Sequence, residues 1–273
     1  MGIHEFFEQN PIFTREEFKQ HLVFQGTKNL NTQKEILAYH LKKQHIIRVR
    51  RGLFASIPLS FQGNESYSVD PYLIAGRISS DSVLAYHTAF DFHGISYSLY
   101  HQLTFMSQQK IRPFTFQQTK FICLPFPKAL IENKKNNMEI ISVNRQGLNI
   151  KVTSLERTLV DALDRPEYSG GWEEIWQTAK HISILNFDKI IEYALSLDNA
   201  TTIAKLGFFL EQHKAQLNVD EKTLARLQEK KPNSIHYIER SKRASGKLIQ
   251  QWNLVVPNYI IERAWEEPNN DFV

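Results

Sequence analysis

Residues 32–57, TQKEILAYHLKKQHIIRVRRGLFASI, decide how the chain begins. Thr32 and Glu35 have the spacing of a capping box, which predicts a helix opening there and running to about Gln44. Projected at about 100° per residue, that helix turns Ile36, Leu37, Leu41 and Gln44 to one side. Thr32, Glu35, Ala38, Tyr39, Lys42 and Lys43 fall on or beside the other. Ile46–Val49 and Leu53–Ile57 then read as two strands joined across Arg50-Arg51-Gly52. Upstream, His4–Gln9 is a short helix candidate closed by Pro11. Thr14 and Glu17 form another capping box, opening a helix over Arg15–Leu22 with Phe18 and Leu22 on one face. Helix, helix, helix, hairpin is the order of a winged helix, so residues 1–57 are expected to form a winged helix-turn-helix domain.

Charge points the same way. The net charge is +4, from 33 Lys and Arg against 29 Asp and Glu. Residues 1–57 hold nine of the cations (Arg15, Lys19, Lys28, Lys34, Lys42, Lys43, Arg48, Arg50, Arg51) and only five acids, all Glu. The remaining 216 residues balance to zero, so the whole surplus sits in the first fifth of the chain. Such asymmetry is the footprint of a domain that meets a polyanion, although a winged helix that contacts only protein is the competing reading. On the helix, Gln33 is the candidate for adenine N6/N7 and Lys34 for guanine O6/N7. Lys42, Lys43 and the hairpin arginines Arg48, Arg50 and Arg51 suit phosphates, with Arg50 or Arg51 alternatively entering a minor groove. Thr32 and Tyr39 complete the expected DNA-binding set.

Residues 58–69 read as a linker, since FQGNESYS (Phe61–Ser68) is polar and Asp70-Pro71 marks a turn. Beyond it, residues 70–273 predict a larger mixed domain, making the whole chain α/β (α+β). Asp81 or Ser82 is placed to cap a helix running through Phe92. Strands are expected at Gln102–Met106, Thr115–Cys123, Met138–Val143 and Leu148–Val152. Thr153 and Glu156 make a third capping box, with Leu155, Leu159 and Leu163 at helical spacing. Helices follow at 172–183, 187–197, 201–217 and 220–230, and a last strand at Leu254–Val256.

Catalytic signals are weak. His87, Asp91 and His93 are the best metal candidates, but His93 lies well around the helix from Asp91, so satisfied structural histidines are expected. Asp161 is expected to answer Arg157 at i,i+4. Glu132-Asn133-Lys134 has the Glu-x-Lys spacing of many nucleases, yet it sits in a turn rather than on a strand. No phosphate-cradling Gly motif occurs. Cys123 stands alone, which excludes a disulfide framework. No apolar run is long enough to span a membrane and no signal peptide opens the chain, so the cytoplasm is the expected location. Neither enzyme activity, metal nor cofactor is expected. One further basic patch, Arg240, Lys242, Arg243 and Lys247, is a candidate second nucleic-acid surface, or a solvated loop.

The run from Thr32 through Ala55, ending IIRVRRGLFA, resembles the winged helix of the AbiEi family of antitoxins, where a basic turn with Gly precedes an aromatic, here Phe54. Val83–Ile95 (VLAYHTAFDFHGI) and Thr153–Gly171 (TSLERTLVDALDRPEYSGG) resemble that family's C-terminal domain, so the likeness covers most of the chain. The resemblance implies a two-part molecule of a type IV toxin–antitoxin (abortive infection) system. Its N-terminal domain would repress its own operon by binding inverted repeats in double-stranded DNA. Its C-terminal domain would neutralise an AbiEii-type nucleotidyltransferase toxin without a stable complex, and the patch of Arg240, Lys242, Arg243 and Lys247 is then a candidate antitoxic surface. The polar linker and Phe54 in place of a frequent Tyr depart from typical members. A winged-helix regulator whose C-terminal domain senses a ligand is the alternative.

Overall fold

The computed structural model describes residues 2–62, 67–239 and 245–266. They form a mixed α/β protein of helices and three sheets. The chain divides into two compact units. The first gathers the residues up to Leu84 together with His101–Leu124 and Ser142–Val152; the second holds the rest.

The first unit opens with α1 (Ile3–Gln9), β1 (Ile12–Thr14), α2 (Arg15–Phe24), α3 (Leu30–Lys42), β2 (Ile46–Arg50) and β3 (Leu53–Ser56). The three strands make an antiparallel sheet in the order β1-β3-β2, with Phe13 opposite Phe54 and Arg48 opposite Phe54 from the other side. β1 is an addition to the expected order. A three-residue strand after Pro11 is too short to show an alternation, but both Ile12 and Phe13 are fully buried by it. Phe6, Phe7, Phe13, Phe18, Leu22, Leu37, Ile46 and Phe54 form one aromatic-rich core under the helices. Edge and offset contacts such as Phe6–Phe13 at 5.3 Å lock its geometry as well as its volume.

The same unit continues through α4 (Pro71–Arg77) into a six-stranded mixed sheet. Its strands are β4 (Val83–Leu84), β5 (Gln102–Met106), β6 (Phe114–Phe116), β7 (Thr119–Leu124), β8 (Ile140–Arg145) and β9 (Leu148–Thr153), in the order β6-β7-β5-β4-β9-β8. β4 is antiparallel to β5 and parallel to β9. Here the expected helix from residue 82 is corrected: Val83 and Leu84 are a buried central strand, and Asp81 does not cap a helix. Its carboxylate instead accepts from Ser107 Oγ at 2.6 Å and from the Gln108 amide at 2.7 Å. α4 lies so close to β9 that a Cβ on Gly76 would sit 2.5 Å from Ile150 Cγ2.

The compact units do not divide at residue 57. Arg77 at the end of α4 pairs with Glu17 of α2, and the Val69 amide donates to Gln117 Oε1 at 2.9 Å. Residues up to 57 therefore share their unit with the six-stranded sheet.

The second unit contains α5 (His87–Phe92), α6 (Lys128–Glu132), α7 (Leu155–Asp164), α8 (Gly171–Ala179), α9 (Phe187–Ser196), α10 (Ala200–Gln212), α11 (Lys214–Leu217), α12 (Glu221–Gln228) and α13 (Asn258–Ile261). A small sheet, β10-β12-β11, is built from β10 (His236–Tyr237), β11 (Gly246–Ile249) and β12 (Leu254–Pro257). Trp176, Tyr193, Phe209 and Trp252 anchor its core. The cap of α7 is Ser154, whose Oγ accepts from the Arg157 amide at 3.3 Å, so the expected Thr153–Glu156 box is corrected by one residue. Thr153 Oγ1 meets Thr158 Oγ1 at 2.6 Å, and Glu156 accepts from the Asn186 amide.

Arg157 answers Asp161 as the spacing predicts, but both are wholly buried. The guanidinium also donates to the carbonyls of Asn136 and Met138 at 3.0 and 2.7 Å, and Tyr193 donates to Asp161 at 2.6 Å. A buried charge pair is tolerable only when its remaining polar valences are met in this way.

Candidate nucleic-acid interface

Two caps set the geometry of the helix pair. In α2 the box forms as the sequence predicts: Thr14 Oγ1 accepts from the Glu17 amide at 3.2 Å, and Glu17 Oε2 accepts from the Thr14 amide at 2.7 Å. This places Arg15 at the first helical position and Lys19 one turn on. In α3 the expected Thr32–Glu35 box gives way to Asn29, whose Oδ1 accepts from the amides of Asn31 at 2.8 Å and Thr32 at 3.2 Å. An Asn cap three residues upstream satisfies orphan donors of an earlier first turn and wins the helix about one turn of length. Thr32 is left exposed in the first turn.

Gln33 is the main correction. Expected to read adenine, it is 4% exposed, and its Nε2 donates to the Thr27 carbonyl at 2.8 Å. That bond ties the α2–α3 turn to α3. With the side chain buried and one of its two N–H groups bonded to Thr27, the two-bond pairing with adenine is unavailable. Its Oε1 is buried without a hydrogen-bond partner among the described residues.

Between α2, α3 and β2 lies a groove of about 290 Å³. Arg15, Lys19, Lys34 and Arg48 stand around it; Phe18, Leu30, Leu37, Ala38 and Leu41 supply its apolar surface, beside Gln33. Among the described residues no carboxylate lines it, although Lys19 pairs with Glu16 beside it at 3.4 Å. The Arg15 amide donates to the Gly52 carbonyl at 2.9 Å, which brings the β2–β3 turn beside the start of α2. Gly52 takes a φ of +86°, the left-handed value a turn of this kind requires. Exposed Arg51 therefore stands next to Arg15 at the hairpin tip.

Of the predicted set, the groove takes Lys34 and Arg48. Thr32, Tyr39, Lys42 and Lys43 are exposed but do not line it. Lys42 and Lys43 end α3, where a cation also suits the helix dipole. Arg50 is corrected: it is half-buried, its guanidinium packs 5.1 Å from the ring centroid of Phe114, and its Nη1 is covered. It belongs to the packing of β2 onto β6. Arg15 and Lys19 were not in the predicted set. Arg15 does carry a signal in the sequence, because a cation at the first helical position opposes the macrodipole and is not there for helix stability.

Behind α3, His40 and His45 face each other with their Nδ1 atoms 2.9 Å apart, and the exposed His4 ring lies 5.4 Å from His45. Burial, then the neighbouring His45 and His4, push the His40 imidazole down to about 4. His45 is lowered by burial, His4 and Lys43. His40 is therefore held neutral at pH 7.

The remaining sequence candidates fall elsewhere. His87 Nε2 meets Glu174 Oε1 at 3.2 Å, and His93 Nε2 meets the Thr153 carbonyl at 2.8 Å. Burial pushes the Glu174 carboxyl up, but hydrogen bonds from His87 and Ser98 outweigh it and hold the group at about 2. Glu174 also accepts from the Tyr97 and Ser98 amides, pinning that loop. Glu132 ends α6, where it pairs with Lys128 at 3.4 Å. Among the described residues no group of three His, Cys, Asp or Glu is arranged to hold a metal ion. Lys247 is exposed on β11 opposite Val256, while Arg240, Lys242 and Arg243 lie outside the described residues. No described helix is long and apolar enough to cross a membrane.

No family model matches the chain, and no curated protein does. Among solved structures it is similar to the RV2827C protein from Mycobacterium tuberculosis. The TM-score is 0.63 at 13% identity, over 97% of this chain and 94% of that one. At that identity the likeness is one of fold.

Proposed function

We propose that residues 2–57 act as a winged helix on duplex DNA, and that the protein is a repressor of its own operon and the antitoxin to an AbiEii-type nucleotidyltransferase. The groove between α2, α3 and β2 carries this reading, because four cations and no carboxylate line it. The order α1-β1-α2-α3-β2-β3 supports the winged-helix reading, in which α3 would enter the major groove with the hairpin flanking it. Arg15, Lys19, Arg48 and Arg51 serve phosphates, which position the domain, and Lys34 works from the first turns of the reading helix. The antitoxin half of the proposal rests on the resemblance of Val83–Ile95 and Thr153–Gly171 to the AbiEi family.

A promoter-reporter strain tests the first half: the intact chain should silence its upstream region, and Arg15→Ala with Arg48→Ala should restore expression at equal protein level. Co-expression with the adjacent open reading frame tests the second. Growth should be rescued by the intact chain; a chain that represses but never rescues overturns the antitoxin assignment and leaves a regulator.

A further inference from the structure

The groove holds more apolar surface than phosphate binding uses. Leu30, Lys34 and Ala38 stand at i, i+4 and i+8, one line along α3. Leu30 is 62% exposed at the first helical position, although the core of this unit is built from other residues. Ala38 is exposed as well. The line is about 12 Å long, from the 1.5 Å rise per residue, which matches three to four base pairs at 3.4 Å each. Hydrogen-bond reading by Gln33 is closed off, since the side chain is buried, one of its two N–H groups is bonded to Thr27 and its oxygen is covered. The chemistry left on this face is a cation between two apolar contacts, and the apolar group that a major groove offers is the C5-methyl of thymine.

We infer that the groove reads A·T-containing sequence through thymine C5-methyl groups, seated against Leu30 and Ala38 on either side of Lys34. This rests on the reading of the groove as a DNA interface. The ring of four cations supplies the charge complement for the duplex, and the apolar stripe beneath supplies the discrimination. Each methyl withdrawn from water onto such a surface tightens binding about fourfold, so two contacts give roughly a fifteenfold preference.

The test uses the full chain and four synthetic duplexes of equal length: alternating dA-dT, alternating dA-dU, alternating dG-dC, and dG paired with 5-methyl-dC. Binding is followed by fluorescence anisotropy at fixed salt. The expected result is dA-dT bound roughly tenfold or more tighter than dA-dU, which differs only in the methyl. Leu30→Ser, at a position too exposed to unfold the chain, should shrink that ratio at least threefold, each affinity being measured on the same variant preparation. Equal affinity for dA-dT and dA-dU overturns the inference and leaves DNA binding standing. An undiminished ratio in Leu30→Ser overturns the assignment to this face. Failure to bind any of the four duplexes overturns the DNA-binding reading itself.

Discussion

Gln33→Ala and Lys34→Ala, neighbouring substitutions on α3, should have opposite phenotypes. Gln33 is buried and ties Thr27 to the helix by a 2.8 Å hydrogen bond. Truncating it strips the half-buried Thr27 carbonyl of its donor and opens a small void beside Leu37. The combined cost is about 1–3 kcal/mol. For a chain of this size that lowers Tm by roughly 3–10 °C. Lys34 is exposed and contributes nothing comparable to packing, so its removal should leave Tm within about 1–2 °C. On DNA the order reverses. At 10 °C, where both variants are folded, Lys34→Ala should relax base preference at one position, costing about 1–3 kcal/mol against the preferred base. Gln33→Ala should weaken all duplexes alike and leave base preference untouched. Calorimetry and anisotropy titrations over a base-substitution panel read both. If Gln33→Ala keeps the parental Tm and changes preference at a particular base, the assignment of Gln33 to the scaffold is wrong.

The two hairpin arginines should separate in the same manner. Arg51→Ala should cost phosphate affinity without lowering Tm, whereas Arg50→Ala should lower Tm by losing its contact with Phe114, worth about 0.5–1 kcal/mol. Acid should loosen the helix bundle. His40 and His45 are held below the usual imidazole value, so the folded chain binds fewer protons than the unfolded one, and stability falls as pH drops from about 6.5 towards 4. His40→Asn should flatten that decline in a series of thermal melts, and an unaltered slope would remove the His40–His45 pair from the explanation. In the second unit, Arg157→Met leaves Asp161 buried opposite Tyr193 alone, and about 3–5 kcal/mol of stability should be lost by denaturant titration.

Much of the fold was legible because its signals are local. β5 occupies the predicted Gln102–Met106, and the Thr14–Glu17 box opens α2 where it should, since each depends on side chains within a few residues. β4 was missed for the opposite reason. VLAYHTAF has helical periodicity, and only pairing with β5 and β9, far along the chain, makes Val83 and Leu84 a strand. Gln33 was within reach, since it lies one turn before Leu37, so the same helical projection that buried Leu37 turns Gln33 inward. The interface itself was only partly visible. Counting charge along the sequence favours the dense run from Lys42 to Arg51, but the fold assembles its groove from residues 15, 19, 34 and 48. That gathering is a product of helix packing, and in the sequence only Arg15, set against its own helix dipole, hinted at it.

The central claim is that this groove grips duplex DNA, and the salt dependence of binding tests it most directly. Four phosphate contacts predict that log K falls with log salt at a slope of about −3 to −4. Replacing Arg15, Lys19, Arg48 and Arg51, the four cations assigned to phosphates, together with Ala should bring the slope close to zero while the circular dichroism spectrum stays unchanged. A parental chain that shows no salt-dependent duplex binding, or a quadruple variant that keeps the parental slope, would contradict the account.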